Sequence, residues 1–150
     1  MKNVINEVTI KLLGKSCNES FARSAVSFFV MQLDPNIDEL NDIKTAVSEA
    51  VTNSIVHGYR NTLGVITLNV KITDDDCVHI IVKDKGCGIE NISRAREPMF
   101  TTGDSDRSGM GFTIMESFMD KLTVSSKPGK GTVVKMVKKI TVKKESCYGY

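Results

Sequence analysis

A carboxylate and an amide stand four residues apart, at Glu49 and Asn53, inside a stretch whose apolar residues recur at helical spacing. Residues four apart lie one above the other on a helix, so the two side chains can converge on one ligand. By itself, such a pair is more typical of an exposed polar helix flank. The pair therefore gains meaning only from the motifs that follow it.

The second motif, Asp84-Lys85-Gly86-Cys87-Gly88, begins where an alternating apolar segment ends. An acidic acceptor followed by two glycines offers a hydrogen bond to an exocyclic amine and lets the backbone approach a flat ring. These features suit a nucleobase. An ordinary turn uses the same residue types, so this motif alone is weak.

A third motif leads from a polar loop into a helix and contains Arg107, Gly109, Met110 and Gly111. Glycines at a helix N-terminus let unpaired N–H groups point at an anion, which predicts a phosphate cradle. The pattern fits neither a Walker loop nor a dinucleotide fingerprint. Thr132, at the start of the last predicted strand, has a hydroxyl that could reach the same ligand, although a lone threonine there is more typical of ordinary strand sequence.

The elements that must position these residues follow from periodicity. Alternating apolar residues predict five strands, and helical spacing predicts three helices, in the order β-α-α-β-β-loop-α-β-β. Asn18 is expected to cap the first helix, and Phe21, Phe28 and Phe29 to pack in the core; the second helix is expected from near Asp38 to His57. The predicted class is an α/β two-layer sandwich, with a mixed, mostly antiparallel sheet and helices on one face.

Composition narrows the possible functions. The 150 residues suit one domain, and no apolar run reaches the ~18 residues of a membrane span. Four cysteines without a CxxC pair and two histidines argue against a zinc site or a disulfide scaffold, and we expect a cytoplasmic protein with free thiols. Residues 127–150 carry seven Lys and one Glu, but the rest is net acidic, so direct nucleic-acid binding is not expected.

The motifs in this order resemble the boxes of the Bergerat ATP-binding fold, the family of gyrase, chaperone ATPases, mismatch-repair ATPases and histidine kinases. A narrower resemblance lies in the phrases at 47–53, 55–59, 98–102 and 107–116, which are similar to those of anti-sigma F factors of endospore-forming bacteria, which are serine protein kinases. The resemblance implies an ATP-binding kinase domain over residues 1–139, a nucleotide lid, and a basic tail at 140–150 without an assigned role.

The resemblance also implies a role for each motif residue. Asp84 would accept from the adenine amine, Gly86 and Gly88 would line the ring, and Thr132 would support the base. Asn53 would hold Mg²⁺, and Gly109, Met110 and Gly111 would lie at the phosphates. Arg107 would contact the γ-phosphate, and Glu49 would be the general base that accepts the proton of a serine hydroxyl.

The implied partners are a sporulation sigma factor, an anti-anti-sigma protein that is phosphorylated on serine, and a second copy of the chain. Three alternatives remain open from the sequence. They are a nucleotide-gated binding module without phosphoryl transfer, the detached ATPase half of a histidine kinase, and a small nucleic-acid-binding α/β protein. A phosphoryl-transfer assay distinguishes the binding module from a kinase. Salt-dependent binding to DNA would identify a nucleic-acid-binding protein.

Overall fold

The computed structural model describes residues 2–60, 62–89, 92, 96 and 111–141. The strands are β1 (Val4–Leu13), β2 (Val65–Thr73), β3 (Cys77–Asp84), β4 (Lys121–Lys127) and β5 (Gly131–Lys139). The helices are α1 (Cys17–Val30), α2 (Ile37–Asn53) and α3 (Gly111–Phe118), with a 3₁₀ turn at Met31–Leu33 and a π-helical turn at Ser54–Gly58. The predicted element order is thus present, and the α/β class is confirmed.

The five strands form one sheet in the order β1-β2-β3-β5-β4, and each neighbouring pair is antiparallel. The sequence predicted a mixed sheet, but the pairings among the described strands include no parallel one. The reason is that β5 inserts between β3 and β4, so that these two strands, which run in the same direction, are never neighbours. The two motifs that end β3 and begin β5 consequently meet at one end of the sheet.

The core lies between one face of the sheet and the helices. Alternate residues of β2 are fully buried, namely Ile66, Leu68, Val70 and Ile72, and the last three pair in register with Val82, Ile80 and Val78 of β3. Ile43, Val47, Ala50 and Val51 of α2 are equally buried. This packing fixes the rotation of α2 about its axis and therefore the direction of its polar flank.

Helix α1 uses a different face from the one predicted. Ala22, Val26 and Val30 are buried, whereas Phe21 is 57% exposed and Phe28 is 79% exposed. Only Phe29 of the three phenylalanines packs against the core. The prediction was wrong for Phe21 and Phe28, because α1 carries two apolar stripes at helical spacing and these two residues lie on the outward one.

The helix starts also differ in detail. Ser16 occupies the N-cap position of α1 without a side-chain hydrogen bond, and Asn18 instead lies within the helix and donates from its amide to the Leu13 carbonyl at 2.8 Å. At the start of α2, Asn36 and Glu39 form a reciprocal capping box. The second helix is therefore anchored at its N-terminus, far from the residues that carry the motif.

The packed structure continues to Thr141, past the boundary proposed after residue 139. Ile140 is 1% exposed and donates its N–H to the Asp76 carbonyl at 2.9 Å. The N–H and hydroxyl of Thr141 both donate to Glu39 Oε2, at 2.7 and 2.8 Å. The end of β5 is thereby tied to the start of α2. No helix in the described part of the chain has the length and apolarity to cross a membrane.

Candidate nucleotide-binding site

Glu49 and Asn53 occupy the last part of α2 and face the first residue of α3. A Cβ built on Gly111 would lie 3.0 Å from Asn53 Nδ2, 3.2 Å from Asn53 Oδ1 and 3.2 Å from Glu49 Oε2. The carboxylate and the amide thus lie side by side against a residue that has no side chain. A larger residue at position 111 would displace both groups.

Asp84 ends β3 and is buried, with 4% of its surface exposed. Its Oδ2 accepts from the Ser54 hydroxyl at 2.9 Å, and its Oδ1 accepts from the Gly86 N–H at 2.9 Å. Burial raises the pKa of this carboxyl above its ordinary value, and hydrogen bonds from Gly86, Ser54 and the Thr132 backbone oppose that rise. The structure thus maintains a buried acidic acceptor at the end of a strand.

The glycines after Asp84 lie where a side chain would meet neighbouring backbone. A Cβ on Gly86 would lie 2.1 Å from the Gly58 carbonyl oxygen, and one on Gly88, whose φ is +76°, would lie 2.1 Å from the Lys127 carbonyl oxygen. The loop is held in this position by hydrogen bonds from Cys87 N–H to Gly58 O and from Gly129 N–H to Cys87 O. Glycine is required at positions 86 and 88 for close backbone contact.

Thr132 lies opposite Asp84 in the β3–β5 register. Its hydroxyl lies 2.9 Å from Ser126 Oγ, which also donates to the Gly131 carbonyl and accepts from the Ile89 N–H, both at 2.8 Å. Ser126 therefore joins β4, β5 and the loop after β3. This network fixes the Thr132 hydroxyl next to the acidic strand end.

The residues present fit a purine nucleotide with Mg²⁺. A Cβ on Gly58 would lie 3.0 to 3.1 Å from the Asp84 carboxyl atoms, so glycine keeps space open beside the acceptor. Within the described ranges, no group of three or more His, Cys, Asp or Glu side chains could hold a metal ion. Mg²⁺ commonly takes only one or two protein ligands, so the Asn53 oxygen would suffice as a protein ligand.

The structure brings seven of the predicted site residues to one end of the molecule. Glu49, Asn53 and Gly111 form one group, and Asp84, Gly86, Gly88 and Thr132 form the other. Ser54 joins the two groups, since it follows Asn53 in the chain and donates to Asp84. Arg107, Gly109 and Met110, and the lid to which they belong, lie outside the described residues.

Sequence reasoning missed three residues that support this site. Ser54 continues the apolar stripe of Val47, Ala50 and Val51, and a polar residue on such a stripe is the signal that could have identified it. Ser126 and Tyr59 gave no such signal. The Tyr59 hydroxyl accepts from the Lys85 N–H at 2.9 Å, and this bond joins the π-helical turn to the loop after β3.

Comparison with known proteins identifies the family of this chain. The family model of the histidine kinase-like ATPase domain matches residues 19–138. The anti-sigma F factor of Clostridium beijerinckii is 55% identical over 139 residues, which cover 91% of this chain and 96% of the relative. The anti-sigma F factor of Geobacillus thermodenitrificans is 52% identical over 143 residues, which cover 95% of this chain and 98% of that relative.

Solved structures show the same fold at low sequence identity. The structure of the RsbU and RsbW domains of Rv1364c from Mycobacterium tuberculosis matches with a TM-score of 0.66 at 18% identity, over 90% of this chain and 32% of that one. A histidine kinase domain from Erythrobacter litoralis matches with a TM-score of 0.56 at 19% identity, over 81% of this chain and 60% of that one. The family model and the two relatives at 52% and 55% identity show that the chain belongs to the histidine kinase-like ATPase superfamily and, within it, to the anti-sigma F factor family.

Proposed function

We propose that this protein is an anti-sigma factor and an ATP-dependent serine protein kinase. In this account it sequesters a sporulation sigma factor and phosphorylates a serine of the anti-anti-sigma protein that opposes it. The proposal rests on the membership of the anti-sigma F factor family and on one structural observation. That observation is the link, through Ser54, between a buried acidic acceptor for a base and a carboxylate–amide pair suited to the phosphate end.

The groups around Asp84 recognise the base. The ionised carboxylate accepts from the exocyclic amine of adenine, Gly86 and Gly88 line the ring, and Thr132 supports it from β5. Gly58 leaves room beside the carboxylate. Ser54 and the Gly86 N–H hold the Asp84 carboxylate in place, which reduces the reorganisation required when the base enters the site.

The groups around Gly111 carry out phosphoryl transfer. Asn53 would hold Mg²⁺, which would neutralise the negative charge of the phosphates. By the family resemblance, the N–H groups of Gly109, Met110 and Gly111 would donate to the phosphates, and Arg107 would contact the γ-phosphate. Glu49 accepts the proton of the attacking serine hydroxyl; general-base catalysis of this kind contributes about 10²- to 10⁴-fold in rate.

The partner proteins complete the proposed function. A phosphate on the antagonist adds about −1.5 to −2 charges at pH 7, which opposes its return to a surface that carries carboxylates. A homodimer is supported by the family resemblance and by Phe21 and Phe28, which α1 exposes on its outer face. ATP-dependent binding of the sigma factor and release by the antagonist follow from the same family resemblance.

The test is incubation of the purified protein with γ-labelled ATP, Mg²⁺ and a purified anti-anti-sigma protein. We expect labelled serine in the antagonist, and a loss of at least 100-fold in the transfer rate with Glu49→Gln, whereas ATP affinity is nearly unchanged. Glu7→Gln, on the exposed part of the edge strand β1, is the matched control and should transfer at the parent rate.

Two outcomes would contradict this account. Transfer by Glu49→Gln at the parent rate would exclude Glu49 as the base. ATP-dependent sigma binding without any transfer by the parent protein would instead favour a nucleotide-gated binding module.

A further inference from the structure

Ser54 is a buried hydroxyl at a position where the helix changes its geometry. It is 4% exposed and begins the π-helical turn that continues α2 to Gly58. Such turns occur frequently at functional sites because they shift the direction of the side chains that follow. A buried hydroxyl is unfavourable without a partner, and the Ser54 hydroxyl has one in Asp84 Oδ2 at 2.9 Å, thirty residues further along the chain.

The hydrogen bonds to Asp84 determine what else that carboxylate can bind. Ser54 donates to Oδ2 and the Gly86 N–H donates to Oδ1, so both oxygens are held as acceptors and the carboxylate plane is fixed. An ionised carboxylate only accepts hydrogen bonds. A purine with an amino group at this point can therefore donate to Asp84, whereas a purine with a carbonyl oxygen there would place two acceptors against each other.

We propose that Ser54 is a positioning residue for base selection: its hydroxyl orients Asp84 as an acceptor for an exocyclic amine. The role rests on the proposed function, since it requires the base at Asp84. Ser54 does not touch the base in this account and acts through Asp84. Its hydrogen bond runs from the residue after Asn53 to the end of β3.

The experiment separates this role from a purely structural one by changing protein and ligand together. Ser54→Ala removes the donor, and Ser54→Thr retains a hydroxyl. Each variant is titrated by calorimetry with ATP and with purine riboside triphosphate, which lacks the 6-amino group. Urea unfolding of both variants shows whether the fold is kept.

We expect Ser54→Ala to weaken ATP binding about tenfold, as for loss of one hydrogen bond to a charged group. Binding of purine riboside triphosphate should be unchanged, because that ligand makes no bond to the carboxylate. The preference for ATP over purine riboside triphosphate should therefore fall about tenfold in Ser54→Ala and return in Ser54→Thr.

If Ser54→Ala weakened the binding of ATP and of purine riboside triphosphate equally, Ser54 would have a structural role only and the proposal would be overturned. The same holds if the preference for ATP over purine riboside triphosphate did not change. Parent protein that bound neither nucleotide would instead contradict the proposed function. The two failures are thus distinguishable within one set of titrations.

Discussion

Gly86→Ala would place a side chain directly against the backbone of the π-helical turn. The added Cβ would lie 2.1 Å from the Gly58 carbonyl oxygen, about 1.3 Å closer than the 3.4 Å at which ordinary contact begins. Overpacking of this kind costs about 1–3 kcal/mol. Relief by movement of the loop would also break the bond from Cys87 N–H to Gly58 O, which contributes about 1 kcal/mol.

The expected loss in the free energy of unfolding is therefore about 3 kcal/mol, or about 6 to 12 °C in Tm for a domain of this size. Urea and thermal unfolding measure it. ATP affinity, measured by calorimetry, should also fall at least tenfold, because the Gly86 N–H that moves is a donor to Asp84.

Gly129→Ala is the matched control for this substitution. Gly129 has a positive φ of +76°, which Gly86 does not, but a Cβ there meets nothing within 4 Å. Its cost is backbone strain of about 1 kcal/mol, without a change in ATP affinity. Gly86→Ala protein that was as stable as the parent and bound ATP equally well would refute the packing of the loop against the π-helical turn.

Two further predictions concern pH and the end of β5. Burial raises the pKa of Asp84 above 3.8, so ATP affinity should decline as the pH falls through that raised pKa. Over the same pH range the contribution of Asp84 to the stability of the protein without ATP should rise, because the folded state binds the proton more tightly than the unfolded state. Calorimetry measures the affinity and urea unfolding measures the stability, both from pH 7 downward. Burial opposes ionisation of Glu39, but hydrogen bonds from Asn36 and Thr141 outweigh it and lower its pKa below 4.5. Thr141→Val should lower the free energy of unfolding by about 1 kcal/mol at pH 7. The difference between the parent and Thr141→Val should narrow as the pH falls below 4.5 through the lowered pKa of Glu39, and a difference that stayed constant with pH would contradict the bond to Glu39.

The sequence predicted the elements of this fold better than their faces. Alternation is regular through most of β2, where Ile66, Leu68, Val70 and Ile72 are all buried, and both β2 and β3 were predicted correctly. In α1 the stripe of Phe21 and Phe28 competes with that of Ala22, Val26 and Val30, and periodicity does not say which stripe faces the sheet. That choice depends on helix packing, which a single sequence does not contain.

In the candidate site, too, the local motifs could be predicted from the sequence and the contacts between elements could not. Glu49, Asn53 and Asp84 could be selected because their motifs are local in sequence, and the structure places them at one end of the sheet. Ser54 and Ser126 act through partners on other elements, and no local pattern specifies such partners. The strand order, in which β5 lies between β3 and β4, is likewise a tertiary feature, and it brings Thr132 opposite Asp84.

The most direct test of the site is calorimetry of ATP binding to the parent protein and to Asp84→Asn, with and without Mg²⁺. An asparagine keeps the size of the side chain and can still accept from the Gly86 N–H, so the fold should persist. The account predicts that the parent binds one ATP per chain more tightly with Mg²⁺, and that Asp84→Asn loses most of this affinity. Equal affinities of the parent and Asp84→Asn would contradict the assignment of Asp84 as the acceptor for adenine.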